Sequence, residues 1–198
     1  MRYQICVSGA TSREGGKETN KIAYEVGQVI AQRGATLVTG ATIGLPHYAA
    51  MGANSIEKRV GAVVGFSPAE SLREHVVTFR LPTEEFDYIN FTGMQYIGRG
   101  IDLVRSSDAL ILIGGRMGSL HELSTALESR KVCGVLLESG GVADYAKTLV
   151  EHVESPAAKD IIYHTEPDQL VSAVIERLHD IYGDMSSDFE RSSSSIQV

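Results

Sequence analysis

Short runs made entirely of apolar residues alternate with segments of helical periodicity along most of this 198-residue chain. A strand that is apolar on both faces must be buried on both faces, which occurs when helices cover the two sides of a parallel sheet. The run 109–113 (ALILI) is the most apolar of these segments, and 168–182 places apolar side chains at helical spacing. The alternation predicts an α/β fold, a Rossmann-like doubly wound parallel sheet with helices on both faces.

We place the element boundaries where an apolar run reaches a glycine or proline, or where the spacing of apolar residues changes between strand and helix. Strands are predicted at 3–8, 35–39, 61–66, 76–81, 109–113, 133–137 and 161–163. Helices are predicted near 22–30, 48–53, 92–106, 119–130, 144–153 and 168–182. No internal repeat or linker interrupts the pattern, so residues 1–182 are predicted to form one domain. The serine-rich segment 183–198 is predicted to be a disordered tail.

The charge balance restricts the kind of partner that the chain can bind. There are 18 Lys and Arg residues against 25 Asp and Glu, a net charge of -7, whereas binding to a nucleic-acid backbone relies on an excess of basic side chains. No apolar run approaches the ~20 residues of a membrane span, and the N-terminus has no signal-peptide pattern. Cys6 and Cys133 lie in apolar runs and are predicted to be buried, reduced thiols. We therefore expect a cytoplasmic protein with a small ligand, and neither a nucleic-acid polymer nor a membrane as partner.

Three predicted strands end in glycine-rich loops, at 8–12, 40–44 and 114–119. In open α/β sheets, ligands bind outside the carboxyl ends of the strands. The third loop (GGRMGS) opens a helix, so backbone N–H groups and the helix dipole converge there and favour an anion. The loop lacks the P-loop and GxGxxG patterns, and a tight strand-to-helix turn explains it equally well.

Ser119 and Glu122 stand at the spacing of a capping box. In that motif the Glu122 carboxylate would only accept the backbone N–H of Ser119. On spacing alone, this structural role is the simpler explanation for the pair.

The segment 114–122 (GGRMGSLHE) resembles the PGGxGTxxE signature of the LOG-type nucleoside-monophosphate phosphoribohydrolases, which activate cytokinins. Upstream, Met94 and Arg99 precede the Ser-Asp-Ala sequence 107–109 at the distance found in that family. The two earlier glycine-rich loops also match, and the resemblance extends to about residue 182. It implies a Rossmann-like fold and hydrolysis of the N-glycosidic bond of a nucleoside 5′-monophosphate, which releases free base and ribose 5-phosphate.

By this resemblance, Arg99 and Glu122 form the catalytic pair. A carboxylate beside the ribose can stabilise an oxocarbenium-like transition state and orient hydroxyls or water. The fixed charge of an arginine can hold phosphate or stabilise the departing base. The residues expected to bind substrate and phosphate are Ser8, Gly9, Thr39, Gly40, Gly44, Met94, Gly114, Gly115, Arg116, Gly118 and Ser119.

The chain departs from the hormone-activating enzymes at several motif positions. Gly114 replaces proline, Arg116 replaces glycine, Ser119 replaces threonine, and Gly100 replaces the lysine after the arginine. These changes place the sequence nearer the broader LOG-like group that includes molybdenum-cofactor carrier-like proteins. Three functions therefore stay open: a phosphoribohydrolase, a non-catalytic binding or carrier protein for a nucleotide or phosphorylated cofactor, and an interaction domain with a vestigial site.

Other features of the sequence leave further alternatives. Arg116 is expected either to add a cation for a pyrophosphate or to point into solvent. The aromatic residues 86, 88, 91 and 96 either stack on a base or pack a helix entry. The six histidines show no metal-ligand spacing, so no metal and no cofactor are expected. The resemblance implies a homodimer, which we expect to form through the helices that follow Thr92 and Ser119.

Overall fold

The computed structural model describes residues 2–11, 16–153, 155–157 and 161–183. Seven strands form one sheet in the order β4-β3-β2-β1-β5-β6-β7, and every neighbouring pair is parallel. The strands are β1 (Gln4–Gly9), β2 (Thr36–Thr39), β3 (Val63–Ser67), β4 (Tyr88–Phe91), β5 (Ala109–Ile113), β6 (Val132–Leu136) and β7 (Ile161–His164). The helices are α1 (Lys17–Gln32), α2 (Leu45–Asn54), α3 (Gln95–Arg105), α4 (Met117–Glu128), α5 (Gly141–His152) and α6 (Pro167–Tyr182). The predicted doubly wound α/β fold is confirmed.

The core lies in two layers, one on each face of the sheet. Helices α1, α2 and α6 pack on one face, and α3, α4 and α5 pack on the other. Within β5, Ile111 and Ile113 contribute to the first layer, whereas Leu110 and Leu112 contribute to the second. Side chains alternate between the faces of a strand, so burial on both sides requires the continuous apolar run seen in the sequence.

The strand order places a topological switch at β1. The chain builds β2, β3 and β4 on one side of β1, then crosses over to form β5, β6 and β7 on the other. Loops that follow β1 and β5 therefore leave the sheet in different directions and open a crevice between them. This crevice contains the glycine-rich loops that the sequence placed at strand ends.

The predicted strand at 76–81 is wrong. Residues Glu74–Thr78 form a π-helical turn, and the edge strand β4 lies further along the chain. The turn is held by His75, which is fully buried and hydrogen-bonds Ser67 Oγ at 2.8 Å and the Pro82 carbonyl at 2.9 Å. Val76 and Val77 remain exposed, so their β-branched pattern is not a sign of burial in a sheet.

The other predicted strands agree with the structure to within two residues at each end. Helix α4 begins at Met117, two residues earlier than predicted. The predicted tail lies outside the described residues except for Gly183, as does residue 12 of the first glycine-rich loop. In the part of the chain that the structure describes, no helix has the length and apolar character needed to cross a membrane.

Candidate functional site

A cavity of about 540 Å³ opens at the carboxyl ends of β1 and β2, beside the N-terminus of α4. The loops after β1 and β2 form one wall, and α3 and α4 form the other. It is the crevice that the strand order predicts for a ligand. Seven of the residues predicted for the site line it: Gly9, Gly40, Arg99, Arg116, Gly118, Ser119 and Glu122.

Arg99 and Glu122 form an ion pair in this cavity. Arg99 is on α3 and Glu122 is on α4, and these helices pack against each other. Nη1 of Arg99 lies 3.5 Å from Oε1 of Glu122, with 6% and 13% of the two side chains exposed. Burying either charge alone would be costly, so each group depends on the other for compensation.

Ser8 holds the second oxygen of the same carboxylate. Its Oγ donates a hydrogen bond to Oε2 of Glu122, and the serine is 1% exposed near the end of β1. Both oxygens of Glu122 are therefore engaged, one by a cation and one by a hydroxyl. The arrangement fixes the carboxylate relative to the cavity.

The capping-box explanation for Ser119 and Glu122 is wrong. Helix α4 has Arg116 as its N-cap, and no side chain caps it. Ser119 instead lies within the first turn of the helix, and the Glu122 carboxylate is bound by Ser8 and Arg99. Sequence spacing cannot distinguish a cap from a residue one turn into a helix.

The loop after β2 is shaped around the guanidinium of Arg99. A Cβ atom added to Gly40 would lie 1.8 Å from Nη1 of Arg99, so a larger residue there would displace the guanidinium from its observed position. Gly44 has a φ of +84°, and a Cβ there would lie 2.3 Å from the Ala10 carbonyl. Thr39 is buried, and its Oγ1 accepts the N–H of Ala41. Gly44 and Thr39 therefore do not line the cavity but stabilise the conformation of the loop whose residues Gly40 and Thr42 do.

The segment after β5 divides into a structural part and a part that lines the cavity. The Gly114 N–H donates to Ser139 Oγ, and the carbonyl oxygens of Gly114 and Gly115 accept N–H groups from the first turn of α5. These two glycines are buried, with φ values of +56° and +99°. Beyond them, Gly118 and Ser119 line the cavity in the first turn of α4. The first N–H groups of a helix have no intrahelical acceptor, so this turn is suited to an anion.

Arg116, Met94 and the four aromatic residues take different positions. Arg116 is exposed and lines the cavity at its rim. Met94 is 52% exposed and lies against Gly98 at the start of α3. Tyr96 lines the cavity. The other three aromatics pack or lie elsewhere: Phe86 against the core, Phe91 edge-on to His75, and Tyr88 exposed on β4.

Several cavity-lining residues were not predicted, including Thr42, Pro46, Ile97 and Met117. Thr42 lies within the glycine-rich loop 40–44, so its place in that loop was the available signal. The three apolar residues carried no chemical signal in the sequence. They give the cavity an apolar wall beside its charged groups.

Cys6 and Cys133 are buried free thiols, as predicted. Burial raises the pKa of Cys6 well above its ordinary value, the Glu122 charge raises it further, and Arg99 opposes the effect. Burial alone raises the pKa of Cys133 to about 12. Among the described residues, no group of three His, Cys, Asp or Glu side chains is arranged to hold a metal ion.

Comparison with known proteins gives one family match and several structural neighbours. The SLOG cluster4 family (LDcluster4) matches residues 2–171. An uncharacterized protein of Archaeoglobus fulgidus is 36% identical over 129 residues, which are 65% of this chain and 76% of that protein.

Solved structures with the same fold include TM1055, a structural genomics target, with a TM-score of 0.76 and 21% identity over 89% of this chain and 99% of that one. The molybdenum cofactor carrier protein of Chlamydomonas reinhardtii has a TM-score of 0.72 and 22% identity over 89% and 98% of the two chains. DNA processing protein A of Helicobacter pylori, which binds single-stranded DNA, has a TM-score of 0.60 and 16% identity over 88% and 81%. At these identities the likeness concerns the fold.

Proposed function

This chain belongs to the SLOG cluster4 family, and from that premise we propose that it binds a small phosphorylated, nucleotide-like ligand as a carrier. One observation carries the proposal: the N-terminus of α4 and the buried side chain of Arg99 line the same cavity. Together they supply backbone N–H groups, the helix dipole and one fixed cation for a phosphate. The fold shared with a molybdenum cofactor carrier protein supports the same class of ligand.

The engagement of Glu122 favours binding over turnover. A carboxylate that is already ion-paired stabilises a developing positive charge on a sugar less than a free carboxylate does. The Arg99 guanidinium compensates Glu122 at 3.5 Å, and Ser8 donates to the other oxygen. Gly100 removes the second cation of the hormone-activating enzymes. The pair therefore serves to position a ligand: the Glu122 carboxylate can accept from ligand hydroxyls, and Nε of Arg99, which has no partner among the described residues, can donate to a phosphate.

A phosphoribohydrolase is the second candidate function. The observation that favours it is the fixed position of Glu122, whose carboxylate shares one cavity with the N-terminus of α4. If a 5′-phosphate binds at this helix, the ribose lies within the same cavity as the carboxylate. Ligand binding that displaces Arg99 from Glu122 would restore the negative charge that the reaction requires.

The two functions differ in turnover, which can be measured directly. Wild-type protein and the Glu122→Gln and Arg99→Ala variants would be incubated with nucleoside 5′-monophosphates, including N6-modified AMP, and free base quantified by chromatography. For a carrier we expect thermal stabilisation by nucleotide without release of base, and retention of binding in Glu122→Gln. Base release by the wild type that is lost in Glu122→Gln would replace the carrier with the hydrolase.

A molybdenum cofactor preparation and single-stranded DNA complete the ligand panel. If the protein binds the molybdenum cofactor and slows its oxidation, this cofactor is the ligand that the protein carries. The net charge of -7 and the concave, local site support a small ligand. Binding of single-stranded DNA at physiological salt, in competition with AMP, would contradict this preference.

We also propose that the protein is a cytoplasmic homodimer. Ile97 and Met117, at the cavity mouth on α3 and α4, are 73% and 76% exposed. Apolar side chains this exposed are suited to a contact with a second copy. Light scattering should give twice the mass of one chain, and Ile97→Asp should yield monomers. A monomeric wild type at micromolar concentration would contradict the dimer.

A further inference from the structure

We propose that Thr42 is a ligand-binding residue whose hydroxyl forms a hydrogen bond with an oxygen atom of the bound ligand. The inference rests on the proposed function, since it assigns a contact within the same cavity. Thr42 lies in the loop between β2 and α2, lines the cavity and is 2% exposed. Its Oγ1 is buried without a hydrogen-bond partner among the described residues.

A buried hydroxyl without a partner destabilises a folded protein, because it has lost its hydrogen bonds to water without replacing them. Thr39, three residues earlier, shows the usual solution, since its Oγ1 accepts the Ala41 N–H. The two threonines share one segment but differ in the use of their hydroxyls. Thr42 lines the cavity, where a ligand can supply the missing partner.

A second unpartnered polar group faces the same loop from the opposite wall of the cavity, on α3. Nε of Arg99 is buried without a partner within the part of the chain described, and Nη1 of this arginine packs against Gly40, two residues before Thr42. Two buried polar groups with unmet hydrogen bonds therefore flank one short loop. This coincidence is expected for a site that is completed by its ligand.

The chemistry of these groups defines the ligand atom. The Arg99 guanidinium only donates hydrogen bonds, whereas the Thr42 hydroxyl donates and accepts. An oxygen with lone pairs satisfies both, and sugar hydroxyls and phosphate groups carry such oxygens. Rotation about the Cα–Cβ bond of Thr42 exchanges its hydroxyl and methyl positions, so the hydroxyl can turn toward a ligand on binding.

The test compares Thr42→Val, which keeps the shape of the side chain and removes its hydroxyl, with wild type. Titration with AMP, ribose 5-phosphate, adenosine and inorganic phosphate would be followed by calorimetry. We expect Tm of the ligand-free variant to be equal or higher, and its affinity for AMP and ribose 5-phosphate to fall about tenfold, consistent with the loss of one buried hydrogen bond. Thr42→Ser, which retains the hydroxyl, should restore affinity.

Ser172→Ala is the matched control. Ser172 lies on α6, and its Oγ is also buried without a partner among the described residues. This helix packs against α1, β6 and β7, away from the cavity. Its variant should bind AMP as wild type does.

The outcomes separate this inference from the proposed function. If wild type binds AMP or ribose 5-phosphate and Thr42→Val binds it with equal affinity, the assignment of Thr42 is overturned alone. If none of the four probes binds to wild type, the proposed function fails and the assignment fails with it. A loss confined to sugar-containing probes identifies a sugar hydroxyl as the partner, and a loss that includes inorganic phosphate identifies a phosphate oxygen.

Discussion

The hydroxyl of Ser8 donates a hydrogen bond to Oε2 of Glu122, joining the end of β1 to helix α4 across 114 positions of sequence. The bond links the topological switch strand to the helix whose N-terminus opens into the cavity. It also ties the carboxylate to the central strand of the sheet. The geometry of the candidate site therefore depends on the packing of α4 against the carboxyl end of β1.

Substitution of Ser8 by alanine should destabilise the protein by about 1.5–3 kcal/mol, the range for a hydrogen bond to a charged group. The Glu122 carboxylate is 13% exposed, so water cannot fully replace the lost donor. Urea unfolding measures the difference. Ser107→Ala is the control, since its buried hydroxyl donates to the neutral Leu103 carbonyl and its loss should cost about 1 kcal/mol. Equal losses would contradict a charge-assisted role for Ser8.

Substitution of Gly40 by alanine should displace Arg99 from Glu122. The new Cβ would lie 1.8 Å from Nη1 of Arg99, so the guanidinium must move. Because this group is the end of a flexible side chain, the loss of stability should stay near the lower end of the range of about 1–3 kcal/mol that overpacking costs. Phosphate-ligand affinity should fall with it. In Gly118→Ala, a Cβ meets no atom within 4 Å, and stability should be equal or slightly higher, since alanine favours the helix more than glycine does. Wild-type ligand affinity in Gly40→Ala would show that the position of Arg99 does not matter for binding.

Asp87 should contribute stability that disappears in acid. Its pKa is lowered from the ordinary 3.8, chiefly by the hydrogen bond from Arg59 and also by the N–H of Val63, while burial opposes the shift. A lowered folded-state pKa means that the contribution is present above about pH 3.8 and is lost as pH falls through the folded value. In Asp87→Asn, the deficit in unfolding free energy should be present at pH 7 and shrink below pH 4. A deficit that does not change with pH would show that the charge of Asp87 is not involved.

The two cysteines should resist alkylation in the folded protein. Burial raises the pKa of Cys133 to about 12 and that of Cys6 well above its ordinary value, so little thiolate forms at pH 8. Mass spectrometry after iodoacetamide treatment should show no modification of the native chain, and two adducts after denaturation. Rapid labelling of the native protein would mean that the sheet opens locally at β1 or β6.

Much of the fold follows directly from local sequence patterns. The run 109–113 predicts β5 correctly because a central parallel strand must be apolar on both faces, and few other structures require that. The strand predicted at 76–81 is wrong because its local pattern fits more than one structure. Its β-branched residues satisfy a strand pattern locally, but the tertiary hydrogen bonds of His75 hold a π-helical turn. Edge strand β4 lacks a strong pattern because it is only partly buried.

For the candidate site, the sequence indicated the loops but not the roles of their residues. The glycine-rich segments identified the end of the sheet at which the cavity lies, because close backbone approach requires glycine. Spacing alone made Glu122 a helix cap, whereas the fold brings it to Arg99 and Ser8. Thr42 went unnoticed because an unpaired hydroxyl can be recognised only once its surroundings are known.

The sequence by itself determined the α/β class, the alternation of strands and helices that requires a parallel sheet, and the net charge of -7. These properties depend only on residue types and on the local spacing of apolar residues. Only the tertiary structure decided that Ser8, Arg99 and Glu122 meet, and that Gly114 and Gly115 use their backbone groups to join α5. Such contacts join residues far apart in the chain, and their energies come from burial and from distances that no local pattern encodes. The packing of α3 against α4 brought the charged groups of Arg99 and Glu122 together in one cavity, which no local pattern encodes.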